Sequence, residues 1–202
     1  MPLSPPDCPR TPLHHRSIHV QAYEREDGLW DLEAELMDTK AYDFPIRSGD
    51  MHPAGQPVHH MLLRITIDEH YTITAAEVAY EAAPHGEFCS AIAPAYENLV
   101  GLNLLQRFRQ SVRERFGRTA GCTHVTELAQ VLPTAAIQSM AGRRRTRPTP
   151  GKRPFQLDGC HALRVDGPVV RVHHPDWYEG PDAPGPAQPG TPRRAQPDVA
   201  TG

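Results

Sequence analysis

The 202-residue sequence has no CxxC pair, no GxGxxG, Walker loop, GxSxG or HExxH string, and no apolar run of membrane-spanning length. Each absence removes a class of function. Without CxxC there is no zinc-finger spacing. Without glycine-rich phosphate loops or the hydrolase strings, nucleotide-dependent and common hydrolase chemistry lose their usual signatures. The lack of a long apolar run, and of an apolar signal core at the N-terminus, leads to the expectation of no membrane span and a cytoplasmic location. An excess of one charge is missing too: 21 basic residues face 24 acidic ones, a formal net charge of -3, which argues against a dedicated nucleic-acid binder. Cysteine is scarce, with Cys8, Cys89, Cys122 and Cys160 far apart. That spacing favours free thiols, metal ligands or a reactive cysteine over a disulfide framework.

Proline, at 22 residues, is plentiful and gathers at the ends. Residues 1–12 and 181–202 lack apolar periodicity and are expected to be a disordered leader and tail. A single α+β domain is expected over 13–180. It contains a basic linker, 143–154, whose six basic residues have no interleaved aromatics; a solvated loop is the expectation there.

Within the domain, "SIHVQAYEREDGLWDLEAELMDT" reads as a hairpin, with Ile18, Val20 and Ala22 alternating before Asp27-Gly28 and Trp30, Leu32, Ala34 and Leu36 after it. "HMLLRITIDEHYTITAAEVAYEA" reads as a second antiparallel pair, with Met61, Leu63, Ile65 and Ile67 on one face. "DTKAYDF" reads as a loop whose Asp38, Lys40, Tyr42 and Asp43 form a set for binding a polar ligand or for acid–base work or, more plainly, a turn with a Lys–Asp pair. Three helices are expected next: "SAIAPAYENLVGLNLL", then a stretch with Leu105, Phe108, Val112 and Phe116 as its stripe and Gly117 as its stop, then one capped by Thr123, with a kink or restart at Pro133. "HALRVDGPVVRVHH" is read as a closing strand and Trp177-Tyr178 as an aromatic clamp. About four strands followed by about three helices on one face make an α+β layer fold.

Sulfur beside imidazole is the chemical signal. Cys122 and His124 flank the start of a helix, where residues two apart can converge on one ion and where the helix N-terminus favours a thiolate. Glu127 lies one turn on, placed to orient the imidazole or add a ligand. Cys89 precedes an earlier helix, and His59 and His60 precede a strand, so three loop ends can meet at one sheet edge. The expected metal ligands are Cys89, Cys122, His124 and His59. A second reading makes Cys122 a nucleophile, His124 its base and Glu127 the orienter, for acyl or persulfide transfer. A third is a structural or partner-binding module, with a protein partner left open. Cys160-His161 sits on an Asp158-Gly159 turn, and its joining the site is left open. Cys8 is given no role.

Two resemblances extend this reading. "DGLWDLEAELMDTKAYDF", "PVHHMLLRITID", "IAPAYENLVG", "GCTHVTELAQVLPTAA" and "LDGCHALRVDGPVVRVHHPDWYEG" resemble, in order, the blocks of a bacterial family termed domain of unknown function 2889, which implies no activity. "MLLRITIDEHYTITAAEVAYEAAPHGEFCSAIAPAYENLVG" is similar to the core of NifU-type iron–sulfur cluster scaffolds. That likeness implies a scaffold-like layer fold, with Cys89 before Ser90-Ala91-Ile92-Ala93 as one ligand and Cys122 as a later one. The scaffold's first cysteine is absent, with His59 or His60 nearest its place; its companion histidine would lie at Gly121, so His124 substitutes. The cofactor it implies is an iron–sulfur cluster; zinc suits the mixed donors themselves.

Overall fold

A computed structural model describes residues 3–46, 48–141 and 151–183. The chain divides into two compact units, Met1–Arg144 and Arg145–Gly202. The division falls inside the basic segment 143–154, most of which, like residues 184–202 of the tail, lies outside the described residues. Residues 3–13 are exposed and carry no regular element.

The first unit is a four-stranded antiparallel sheet, α+β as expected, in the order β1 (His14–Glu24), β2 (Trp30–Lys40), β5 (Pro57–Ile67), β6 (Ile73–Ala82). A two-residue ladder, β3 (Phe44–Pro45) with β4 (Met51–His52), interrupts the long connection. The first hairpin closes at Gly28, whose φ of 83° is the left-handed conformation that Asp-Gly turns use. Period-two alternation then sorts the faces. Leu32, Ala34 and Leu36 of β2 and Met61, Leu63, Ile65 and Ile67 of β5 are all buried on the inner side. The outer side carries Glu33, Arg64 and Glu77, tied by ion pairs and half or more exposed at Arg64 and Glu77, as an antiparallel sheet with one solvated face should.

Helices α1 (Glu87–Ser90), α2 (Phe108–Phe116) and α3 (Thr123–Met140) follow, with a 3-10 turn, Ala93–Leu99, between the first two. The long helix α3 packs on β2, β1 and β5, and the 3-10 turn packs on β6. Burial of Val125, Leu128, Leu132 and Ala136 against the sheet completes the core. The expected first helix is largely this 3-10 turn, because Pro94 removes a donor and Gly101, at φ 84°, turns the chain back so that its N–H reaches Ile73. Leu105 lies outside α2 and is over a third exposed, so the apolar stripe there is Phe108, Val112 and Phe116. Cys122 rather than Thr123 caps α3, and Pro133 lies inside the helix without restarting it. Among the described residues no helix is long and apolar enough to cross a membrane.

In the second unit the expected closing strand is instead a 3-10 turn, His161–Leu163, and a short helix, α4 (Pro168–His173). Pro168 at the first helical position presets that helix. Among the described residues of this unit, the side chains of Leu157 and Val170 are buried. Cys160 and His161 are exposed.

Candidate metal centre

The alternation that builds the core runs out, on three neighbouring strands, in polar residues that still point inward. Two residues beyond Leu36 on the inner face of β2 comes Asp38; two before Met61 on β5 comes His59; two before Ile18 on β1 comes Arg16. The register sets Arg16 opposite Asp38 and Asp38 opposite His59, one cross-strand row at the end of the sheet. The N-terminus of α3 lies over this row, with His124 and Glu127 in its first turns.

Asp38 is the hub, its side chain only 4% exposed. Arg16 donates to it twice, Nε to Oδ1 and Nη2 to Oδ2, both at 2.7 Å. His14 Nε2 stands 3.1 Å from Oδ1, His59 Nδ1 3.1 Å from Oδ2, and His124 Nε2 3.7 Å from Oδ2. The forked pair from Arg16 is the strong form of ion pair, and it holds the Asp38 carboxyl down at about 2. The His59 and His124 rings overlap, centroids 3.9 Å apart and 30° from parallel. Burial, ahead of any neighbouring charge, pushes both imidazoles below their ordinary value. Two neutral imidazoles and one ionised carboxylate thus meet where one ligand atom from each lies within 4.8 Å of the others. The group could hold a metal ion.

A second set of bonds fixes the start of α3. Cys122 makes no side-chain cap; the fully buried Tyr96 serves in its place. The Tyr96 hydroxyl accepts from Cys122 N–H at 2.9 Å and lies 2.8 Å from both Cys122 C=O and Thr126 Oγ1. Its ring stacks on Phe116 at 4.5 Å. Gly121 lets this happen, since a Cβ there would sit 2.9 Å from the Tyr96 hydroxyl and 2.6 Å from Phe116 O.

Of the residues expected from sequence to act together, His59 and His124 do meet. Cys122 is beside them, its Sγ 3.9 Å from His124 Nδ1. That nitrogen lies on the opposite side of the ring from Nε2, which faces Asp38, so the imidazole stands between sulfur and carboxylate. Cys89, half-buried on α1, contributes no atom to the group. Glu127, expected to orient His124 or add a ligand, accepts at Oε2 from Arg16 Nη1 at 2.6 Å. Arg16 and His14 carry no sequence signal of a site, and Asp38 falls only in the separate "DTKAYDF" set. The sequence there suggests a loop, whereas β2 continues to Lys40 because β1 pairs along its full length back to His14. The available signal was the period-two series Leu32, Ala34, Leu36, Asp38, which puts a carboxylate in line with a buried face.

The likeness to NifU-type scaffolds finds no support. The described donors are nitrogen and oxygen where a cluster needs mainly thiolates, and the position where that pattern has a histidine is Gly121, which has no room for a side chain. No curated protein and no solved structure matches the chain significantly. A family model does match, over residues 14–138, which span the whole sheet and α3 up to Gln138. The chain therefore belongs to the family described as Protein of unknown function (DUF2889).

Proposed function

We propose that this protein binds one divalent transition-metal ion through Asp38, His59 and His124. The observation that carries the reading is the convergence of three donor atoms within 4.8 Å, two from one cross-strand pair and one from the start of α3 above it. Imidazole selects borderline ions such as zinc over magnesium or calcium, and two imidazoles with a carboxylate leave a coordination position for water or substrate. The protonation states suit it: burial favours neutral imidazole, and the Arg16 guanidinium keeps Asp38 ionised.

A carboxylate has about four lone-pair positions. Arg16 takes one on each oxygen and His14 takes the second on Oδ1. The remaining position on Oδ2 is the one that His59 and His124 face, and an ion there replaces a weak hydrogen bond with coordination. Arg16 then orients the ligand carboxylate, as outer partners of metal ligands do. Its positive charge also moderates affinity.

The test is metal content after loading with zinc and exhaustive dialysis. About one equivalent per chain is expected, falling to background in His59→Ala and in His124→Ala and retained in Cys122→Ser. Cobalt substitution should give an absorption spectrum without a sulfur-to-cobalt charge-transfer band. A wild-type chain that takes up neither zinc, cobalt nor ferrous ion would overturn the reading. A sulfur band would replace the oxygen ligand with Cys122.

A further inference from the structure

The sheet has two edges, and the fold treats them differently. On β6, backbone that follows the 3-10 turn covers the first residue: Ile73 N–H donates to Leu102 O at 2.9 Å, and Gly101 N–H donates to Ile73 O at 2.8 Å. The ladder of β6 with β5 also shifts register near each end, and such irregularities turn an edge away from other chains. β1 has neither protection. It runs eleven residues in unbroken register against β2 and contains no proline or lysine. Among the described residues it pairs with nothing on its other side. A long, regular, bare edge is a template for another strand.

Bonds just beyond its two ends show which groups that edge offers. Ala41 N–H donates to Leu13 O, and Arg25 N–H donates to Leu29 O, so odd-numbered residues of β1 turn their backbone towards β2. By antiparallel alternation the even-numbered ones, His14, Arg16, Ile18, Val20, Ala22 and Glu24, turn N–H and C=O outward. The same positions carry the inward side chains. Ile18 and Val20 among them pack on the core yet are only partly buried, which leaves the apolar inner face unfinished at this margin.

Charge selects the occupant. β1 begins His14-His15-Arg16 and ends at Glu24, so a basic start and an acidic finish complement an antiparallel copy of the same strand. Pairing about a two-fold axis at His19 is the register that opposes all eleven residues. Ile18 then lies opposite Val20 of the other copy, Arg16 opposite Ala22 and His14 opposite Glu24. Each residue with an outward backbone meets another, which closes the ladder, and the small Ala22 leaves Arg16 its place in the polar row. We propose that this protein forms a two-fold dimer through β1, joining two four-stranded sheets into one continuous sheet with both copies of α3 on the same face. The contact is isologous. It uses none of Asp38, His59 and His124, so it stands apart from the metal reading.

The test is sedimentation of the full chain over a micromolar concentration series, with and without chelator. A dimer is expected in both, because backbone pairing holds it and not an ion bridging surface histidines. His19 lies on the axis, and within its own sheet it stands opposite Glu35. His19→Lys therefore gains an opposite charge inside the chain but meets a second lysine across the axis. It should weaken the dimer ~10-fold or more while unfolding temperature and zinc content stay at wild-type values. Ala22→Pro removes an N–H that points only at the other copy, with a loss of about the same size. His19→Cys reads the register. Mild oxidation should link position 19 of the two copies, since such a pair stands about 4.5 Å apart at Cα, within disulfide reach; Ser17→Cys, two residues from the axis, should not link. A chain that is monomeric throughout the series, a dimer dissolved by chelator, a dimer that both His19→Lys and Ala22→Pro leave intact, or linkage at position 17 as efficient as at 19 would overturn the proposal. A chain that dimerises without taking up an ion fails only the metal reading, and one that binds zinc as a monomer fails only this one.

Discussion

Asp38→Asn is the substitution that most directly probes the polar row. It preserves shape but removes the charge that Arg16, His14 and His59 converge on. Lowering a carboxyl from 3.8 to about 2 corresponds to roughly 2–3 kcal/mol of folding stability, at about 1.4 kcal/mol per pH unit. The side chain is only 4% exposed, so solvent screening takes little of this away. Because the folded carboxyl is the stronger acid, that stability is present above the unfolded value near 3.8 and disappears as pH falls towards 2. The asparagine variant should therefore be about 2–3 kcal/mol less stable than wild type near neutrality, with the gap closing below about pH 4. Urea unfolding followed by circular dichroism along a pH series measures it. Both proteins should also weaken below 6.5, where the unfolded chain takes up protons that buried His59 and His124 resist. A gap under about 0.5 kcal/mol at neutral pH, or one that does not change with acid, would refute the placing of Asp38 as the charged hub.

Other outcomes follow from the same contacts. Gly121→Ala puts a Cβ 2.6 Å from Phe116 O and 2.9 Å from the Tyr96 hydroxyl; the expected cost is about 1–3 kcal/mol, read by thermal unfolding. Tyr96→Phe keeps the stack on Phe116 but strands the Cys122 N–H, a loss of about 1–3 kcal/mol that should also raise hydrogen exchange in the first turn of α3. Arg64→Ala, on the open face and half exposed, should change stability by less than about 0.5 kcal/mol. If it costs as much as Asp38→Asn, the outer face is not solvated as described.

Period-two patterning reports which face of a strand is buried, and here it was legible throughout. The inner residues of β2 and β5 and the Asp27-Gly28 turn stand where alternation places them. Helical signals were less secure where proline and glycine intervened. The stretch around Pro94 carries apolar residues at near-helical spacing, but packing against β6 holds it as a 3-10 turn. The "GPVVRVHH" stretch has β-branched residues that suggest a strand, yet Pro168 at the first helical position presets a helix. In the site, Cys122 and His124 are legible as a pair because they are close in sequence. The Asp38 hub is not, because its partners come from 22 residues upstream, 21 downstream and the helix that covers the inner face. Single-sequence motifs see local pairs, and a hub is defined by contacts across strands.

The row is nonetheless written into the alternation, and its position bears on why it exists. A sheet end that only needed sealing beneath a helix could extend the apolar series, and replacing a buried ionic cluster by well-packed aliphatic residues is often neutral or stabilising. Here the three strands turn polar together at one level. A glycine is held where no side chain fits, and a tyrosine hydroxyl is spent on fixing the helix that covers the row. Each of these fixes geometry more than it adds burial. A fold gains nothing in stability from stacking two desolvated imidazoles beside a carboxylate already paired with arginine; it gains a constellation whose protonation states and spacing are set before anything binds. That is the physical ground for placing chemistry at this end of the sheet and not in the solvated acidic face on its other side.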